Sequence, residues 1–232
     1  MAGGYRILLF DIDGTLVSTG GAGAAAWKLA FDELHGIPAE IGQFTDAGMT
    51  DPEVGARTFE AVLHRKPTPH ELAQLIQRRL EYLPDAVAAS AGYRVLPGVP
   101  ERLKQLSRDG HLLGIITGNG DGAAHIKLQR GDLNRWFSFG AYGGVGLDRA
   151  AIVRAAVERG EAMLGQDVPN DQVYVVGDTP LDTDAAHAAG CTSIGVTTGH
   201  YDRAALLEAG ADHVLETLEK PLPIEIRNDE SA

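Results

Sequence analysis

Cysteine, lysine and long apolar runs are scarce in this chain of 232 residues. Cys191 is the lone cysteine, so no disulfide can close within the chain, and a reducing compartment, the cytoplasm, is the expected location. No stretch approaches the roughly 18 consecutive apolar residues of a membrane span. The opening "MAGGYRILLF" also lacks the basic-then-apolar order of a secretory signal. A soluble protein without a membrane partner is expected. Positive charge is short as well: 20 Lys and Arg face 32 Asp and Glu, a net charge of −12, with no basic run. That balance repels polyanions and argues against a nucleic-acid partner, while leaving room for a small anion in a local positive pocket. The eight histidines show no ligand spacing, so a zinc site is not expected. Internal repeats and low-complexity tracts are absent.

Hydrophobic residues make up 44% of the chain, enough to fill a large domain or a domain with a smaller companion. Short apolar runs recur, each ending in a turn: "YRILLF" (5–10), "HLLGIIT" (111–117), "RWFSFGAY" (135–142), "QVYVVGD" (172–178) and "TSIGVTTG" (192–199). Runs apolar on both faces and separated by helical patterns predict a parallel sheet covered on each side. "PERLKQLSRDG" (100–110), "RAAIVRAAVERGEAML" (149–164) and "PLDTDAAHAAG" (180–190) supply crossover helices. The expected class is α/β, a doubly wound, Rossmann-like parallel sheet.

The alternation breaks once. About 90 residues after the first strand contain no convincing strand, too many for a crossover. They carry three helical patterns instead, at 22–36, 51–65 and 69–83. The predicted organisation is therefore a core of residues 1–18 and 96–220, an inserted all-helical cap of residues 19–95, and a Pro- and charge-rich tail, 221–232, that frays.

Three strand ends carry unusual polar residues. The first ends on Asp11 and Asp13, the second on Thr117, Gly118 and Asn119, and the fourth on Gly177 and Asp178, followed by Asp182. Ligands of open α/β sheets bind outside the carboxyl ends of the strands, where chain direction reverses. Acids converging there repel one another unless a divalent cation sits among them, and an all-oxygen donor set suits Mg²⁺.

With these residues in this order, "DIDGT", "ITGN" and "VVGDTPLD" resemble the first, second and fourth motifs of the haloacid dehalogenase superfamily of hydrolases. The closest likeness is to its phosphoglycolate-phosphatase-like subgroup, and the helical insertion after the first motif is similar to the family's first-type cap. The resemblance covers roughly residues 5–215. It implies a Mg²⁺-dependent phosphoric monoester hydrolase acting on a small phosphorylated metabolite, as a monomer or homodimer. Asp11 is the implied nucleophile, forming an aspartyl-phosphate. Asp13 is the implied acid and base. Mg²⁺ is expected on the Asp11 carboxylate, the Asp13 backbone carbonyl and Asp178, with Asp182 in support. Thr117, Gly118 and Asn119 are expected to hold phosphoryl oxygens, and Gly14 and Thr15 to bring backbone donors to the same group.

One position departs from the family pattern. Its third motif is a lysine, yet none of the five lysines (Lys28, Lys66, Lys104, Lys127, Lys220) opens the helix after the third strand. Arg149 stands there, and a guanidinium supplies the charge with a two-pronged grip on oxygens; Lys127 is the fallback. A sugar-phosphate mutase and a catalytically weak phosphate-binding protein are the rival readings. Lys28, Asp184 and His200 read as solvated residues and Cys191 as a small core hydrophobe. In "AGMTD" (47–51), a substrate-facing loop, Thr50 is the expected helix N-cap. Met49 stands where many relatives carry a basic residue, which points to a less charged leaving group.

Overall fold

The first strand, β1 (Ile7–Phe10), consists of four apolar residues, all fully buried. Alternation along it sends Leu8 and Phe10 into one hydrophobic layer and Ile7 and Leu9 into the other. In this computed structural model, which describes residues 6–144 and 148–224, β1 lies at the centre of a six-stranded parallel sheet. Its neighbours are β4 (Leu112–Thr117), flanked by β5 (Phe139–Tyr142), and β6 (Val173–Gly177), flanked by β7 (Thr192–Val196) and β8 (His213–Leu215). Helices α4 (Val99–Arg108) and α5 (Asp121–Gln129) fill one layer with Val99, Leu103, Leu106, Ala124 and Leu128. Helices α6 (Arg149–Leu164) and α7 (Pro180–Ala188) fill the other with Ile152, Val153, Ala156, Ala185 and Ala186. The expected α/β class is the one observed.

Register places the polar strand ends side by side. Phe10 is level with Ile115 on β4 and with Val176 on β6. One step further, Asp11, the end of β4 at Thr117 and Asp178 therefore share one edge of the sheet, on either side of the strand where chain direction reverses.

Between β1 and β4 come the three expected helices, α1 (Ala22–His35), α2 (Asp51–Leu63) and α3 (Pro69–Ala89). They share a small core of their own, built on Trp27, Phe31, Phe59 and Leu75. α3 runs past the expected stop at residue 83. Pro84 interrupts its hydrogen bonding, but Leu83 and Val87 stay buried with Ala22, Ala26 and Ala123 of α5. Tertiary burial there outweighs the proline. The interval also holds two strands too short to show a pattern, β2 (Val17–Ser18) and β3 (Arg94–Val95), which pair antiparallel and tie the ends of the insertion together.

Three further differences have physical causes. "RWFSFGAY" enters the sheet only from Phe139, because residues 134–136 close a 3₁₀ turn first. β8 follows the six-residue α8 (Arg203–Glu208), and three residues are too few for a visible period. The tail is docked at its start: Leu222 and Ile224 are buried in the core layer, and Arg102 of α4 donates to the carbonyls of Leu218 and Lys220. The rest of the tail expected to fray, 225–232, lies outside the described residues. Among the described residues no helix is long and apolar enough to cross a membrane.

The two links between core and insertion cross at glycines. Gly20 has φ 61°, and a Cβ there sits 2.4 Å from the Gly92 carbonyl carbon; one at Gly92 sits 2.9 Å from the Gly20 Cα. Ser90 Oγ closes the crossing by donating to the Thr19 carbonyl at 2.8 Å. Gly36, at φ 68° with open space around it, has the same backbone demand and no neighbour. Gly36→Ala is expected to cost about 1–2 kcal/mol of left-handed strain, whereas Gly20→Ala adds overpacking worth about 1–3 kcal/mol more. Urea denaturation of the two variants measures the gap; equal costs mean that the links do not need the close approach.

Candidate active site

Past β1 the chain turns sharply at Gly14, whose φ of 80° belongs to the left-handed region. A Cβ on Gly14 lies 2.3 Å from a carboxylate oxygen of Asp178, so the first strand end and the fourth touch only because no side chain intervenes. Thr15 Oγ1 donates to Asp178 Oδ1 at 3.3 Å, and Thr198 Oγ1 donates to the Gly14 carbonyl at 2.6 Å. The Thr15 side chain thus serves Asp178, where a phosphate contact was expected of this turn.

Arg149, the first residue of α6, reaches into the crevice. Its Nη2 lies 3.0 Å from Asp11 Oδ1 and 2.5 Å from Asp182 Oδ1, its Nε donates to the same Asp182 oxygen at 2.9 Å, and its Nη1 donates to the Gly48 carbonyl at 2.8 Å. Burial works against its charge, but Asp182 and Asp11 outweigh that and raise its pKa further. The other oxygen of Asp182 accepts from the backbone N–H and hydroxyl of Thr179, an N-terminal capping box on α7.

Asp13 stands apart from Asp11. Its Oδ2 accepts from Asn119 Nδ2 at 2.9 Å and from Lys127 Nζ at 2.5 Å. Lys127 also donates to Asn119 Oδ1 at 2.7 Å, and Asn119 Nδ2 bonds Thr117 Oγ1 at 2.8 Å. The three residues expected at the end of β4 are thereby brought to the crevice, with the Asn119 side chain turned onto Asp13. Burial pushes Asp13 up, but Lys127, aided by Asn119 and Arg79, overrides this and holds the carboxyl below its usual range.

Asp11 and Asp178 behave oppositely. Burial raises Asp11 to about 7, against the pull of Arg149 and with Asp182 and Asp13 adding repulsion. Burial raises Asp178 to about 8, with Asp11, Asp182 and Asp13 contributing. Carboxylate oxygens of Asp11, Asp178 and Asp182 lie within 4.8 Å of one another, all buried. Four carboxylates here face two side-chain cations, Arg149 and Lys127, and the charge deficit is that of one divalent cation. The donor set is all oxygen, as hard cations require. Because Thr179 and Arg149 engage both oxygens of Asp182, Asp11 and Asp178 are the carboxylates that fit a metal.

Other expected residues stay where the sequence put them. Lys28 pairs with Glu40 on the surface, Asp184 and His200 are exposed, and Cys191 is buried in the core. Thr50 caps α2, with Glu53 accepting from its backbone N–H and its hydroxyl. Of the buried cations near the crevice, Lys127 was expected only as a fallback for the third motif, and Arg79 was not singled out from sequence. Lys127 lies on the buried face of α5 beside Ala123, Ala124 and Leu128, and Arg79 lies in the α3 stripe Leu75–Arg79–Leu83–Val87. A cation within an apolar stripe was the available signal.

Residues 8–196 match the family model described as haloacid dehalogenase-like hydrolase. The chain belongs to that family. It is 29% identical over 218 residues to a phosphoglycolate phosphatase of Synechococcus elongatus, covering 91% of this chain and 93% of that one. A phosphoglycolate phosphatase of Salmonella choleraesuis is 28% identical, with 97% of each chain covered. Among solved structures, a predicted phosphoglycolate phosphatase from Haemophilus somnus superposes with a TM-score of 0.72 at 20% identity, over 92% of this chain and 95% of that one. CbbY from Rhodobacter sphaeroides in complex with phosphate gives 0.70 at 21%, over 94% and 96%. The family resemblance and the enzyme class it carries, phosphoric monoester hydrolase, are borne out.

Raised carboxyls make stability fall with pH. Between about pH 4 and their raised values the folded protein holds protons at Asp11 and Asp178 that the unfolded chain has lost, so unfolding gains as pH rises. His35, lowered by burial, works the other way only below its usual 6.5. In EDTA the melting temperature is therefore expected to drop from pH 6.5 to pH 8, and Mg²⁺ to raise it more at pH 8. Asp178→Asn should flatten both trends; an unchanged slope in that variant removes Asp178 from the cluster.

Proposed function

We propose that the protein is a Mg²⁺-dependent phosphatase that hydrolyses a small phosphomonoester metabolite through an aspartyl-phosphate on Asp11. The observation that carries this reading is the separation of the two aspartates of one turn. Asp11 faces Arg149 and the acidic cluster, while Asp13 is held by Lys127 and Asn119. Two carboxyls with different surroundings suit two roles.

In the first step an Asp11 oxygen attacks phosphorus as the bond from phosphorus to the leaving oxygen breaks, and Asp13 gives that oxygen its proton. The incoming phosphate dianion favours a protonated Asp13, against the pull of Lys127. In the second step water attacks the phosphoryl group, Asp13 takes its proton back, and Asp11 leaves as the carboxylate with inorganic phosphate released. Arg149 offsets the charge of Asp11 and of the phosphoryl oxygens, the task implied for the third motif. The Thr117 hydroxyl and the Gly118 N–H are the phosphoryl donors on the far side, since the N–H groups of Asn119 and Gly120 already serve Thr117 Oγ1 and Asp51. Asp11, Asp178 and the Asp13 carbonyl would hold Mg²⁺, which would supply further compensation for the charge of the transferring group.

The relatives named phosphoglycolate phosphatase put phosphoglycolate first among substrates to try. The insertion serves as a lid over the crevice, and the single cysteine suits a cytoplasmic enzyme. Phosphate release from a panel of phosphomonoesters is expected with Mg²⁺ and not with EDTA. Asp11→Asn keeps the size of the side chain and removes the nucleophile, so activity should fall at least 10³-fold in a folded protein. A tenth of wild-type turnover remaining in that variant rules out the covalent route, and glucose 6-phosphate formed from β-glucose 1-phosphate identifies a mutase instead.

Arg149 distinguishes a working enzyme from a binding scaffold. Arg149→Ala leaves Asp11 and Asp182 facing each other without their shared cation, and kcat/KM is expected to fall at least 100-fold, about 2.7 kcal/mol of transition-state stabilisation. Arg149→Lys keeps the charge but cannot reach Asp182, Asp11 and Gly48 together, so partial recovery is expected. A change within twofold in Arg149→Ala excludes it from the chemistry.

A further inference from the structure

Arg79 is the largest fully buried side chain among the described residues, only 2% exposed, and it sits in the apolar stripe of α3. Its guanidinium lies over the Trp27 ring at 4.9 Å and donates to Asp51, the first residue of α2. A buried ion pair is seldom worth more than apolar side chains of the same volume, so packing alone does not account for it. Its placement does. Asp51 Oδ2 accepts the Gly120 N–H at 2.8 Å, and the Asp51 N–H donates to the Gly118 carbonyl at 2.8 Å. The pair from the insertion therefore grips the residues on both sides of Asn119. Arg79 Nη2 also lies 3.4 Å from Asn119 Oδ1, beside the Lys127 ammonium. Two cations on that oxygen fix the amide, because the flipped rotamer sets its NH₂ against them and its carbonyl against Asp13. Arg79 Nε is buried with no partner among the described residues, so its contacts run through Nη1 and Nη2.

We propose that Arg79 and Asp51 are positioning residues: with the helical insertion seated on the core, they hold the Asn119 amide so that it aims Asp13 at the leaving oxygen. The proposal rests on Asp13 being the acid and base. Neither residue touches the reacting atoms; both act through Asn119. An insertion that lifts off the core withdraws both from Asn119, so Asp13 is aimed only when the site is covered.

The test compares leaving groups in the full chain with Mg²⁺. An alkyl phosphate needs its leaving oxygen protonated, whereas p-nitrophenyl phosphate needs this little. For the alkyl phosphate the wild type turns over fastest in the panel, Arg79→Met is expected to lower kcat at least tenfold with KM within threefold. For p-nitrophenyl phosphate the loss should stay within threefold, and Arg79→Lys should recover most of the alkyl rate. Since Arg79→Met strands Asp51, the double variant Asp51→Asn/Arg79→Met, which buries no lone charge, should show the same selectivity. In an Asn119→Ala background Arg79→Met should change kcat less than twofold. Equal losses on both esters, or losses that multiply in the Asn119→Ala background, overturn the proposal. A wild type that turns over neither ester overturns the phosphatase reading itself, an outcome separate from these.

Discussion

Repulsion among crowded carboxylates, three of them buried, is the constraint that the rest of the crevice answers. Asp11, Asp13, Asp178 and Asp182 are brought together by the register of β1, β4 and β6 and by the first turn of α7. Burying a charge without compensation costs several kcal/mol. Each neighbouring feature reduces that cost for a particular oxygen: Arg149 for Asp11 and Asp182, Lys127 with Asn119 for Asp13, Thr15 for Asp178. Asp178 receives the weakest help, a single hydroxyl, and is the carboxyl pushed furthest up. The position least compensated by the protein is the one best suited to a metal.

The same constraint ties the insertion to the core. Arg149 donates from Nη1 to the Gly48 carbonyl, and Asp51 takes the N–H of Gly120 at the start of α5. The first contact comes from the loop leading into α2 and the second from the first residue of that helix; they end on Arg149, which pairs with Asp11, and on the residue next to Asn119. Seating of the insertion and compensation of the crevice's charges therefore share hydrogen bonds, without any long-range relay.

The acidic strand ends were legible in the sequence because a fully apolar strand has no structural use for two aspartates at its end, and the same logic read Asp178, whereas Arg149 was read from the place of the third motif in the family resemblance. What stayed hidden depended on partners distant in the chain. Lys127 faces Asp13 across 114 residues and Arg79 faces Asn119 across 40. Periodicity marks which face of a helix is buried but not what it meets. No helix was expected at α5, where Gly118, Gly120 and Gly122 around its start obscure a helical period, and β2, β3 and β8 were missed because two or three residues establish no period. Gly14 was recognised as a turn, yet its closest demand is steric: only a hydrogen at that position lets Asp178 approach.

Guanidinium geometry explains why arginine is suited to position 149. Nε and Nη2 grip one Asp182 oxygen, Nη2 also reaches Asp11, and Nη1 turns outward to Gly48, all from one planar group. An ammonium at the same helix start offers its three protons from a single point and cannot span acceptors on three segments. The guanidinium thus joins two tasks, offsetting the charge of Asp11 and docking the insertion's loop, and Asp182 keeps its plane fixed from the capping box of α7. With Arg149 engaged by Asp11, Asp182 and Gly48, the cation beside Asp13 comes from elsewhere in the core. Lys127 of α5, on the opposite side of the crevice and in contact with Asp13, fills that place.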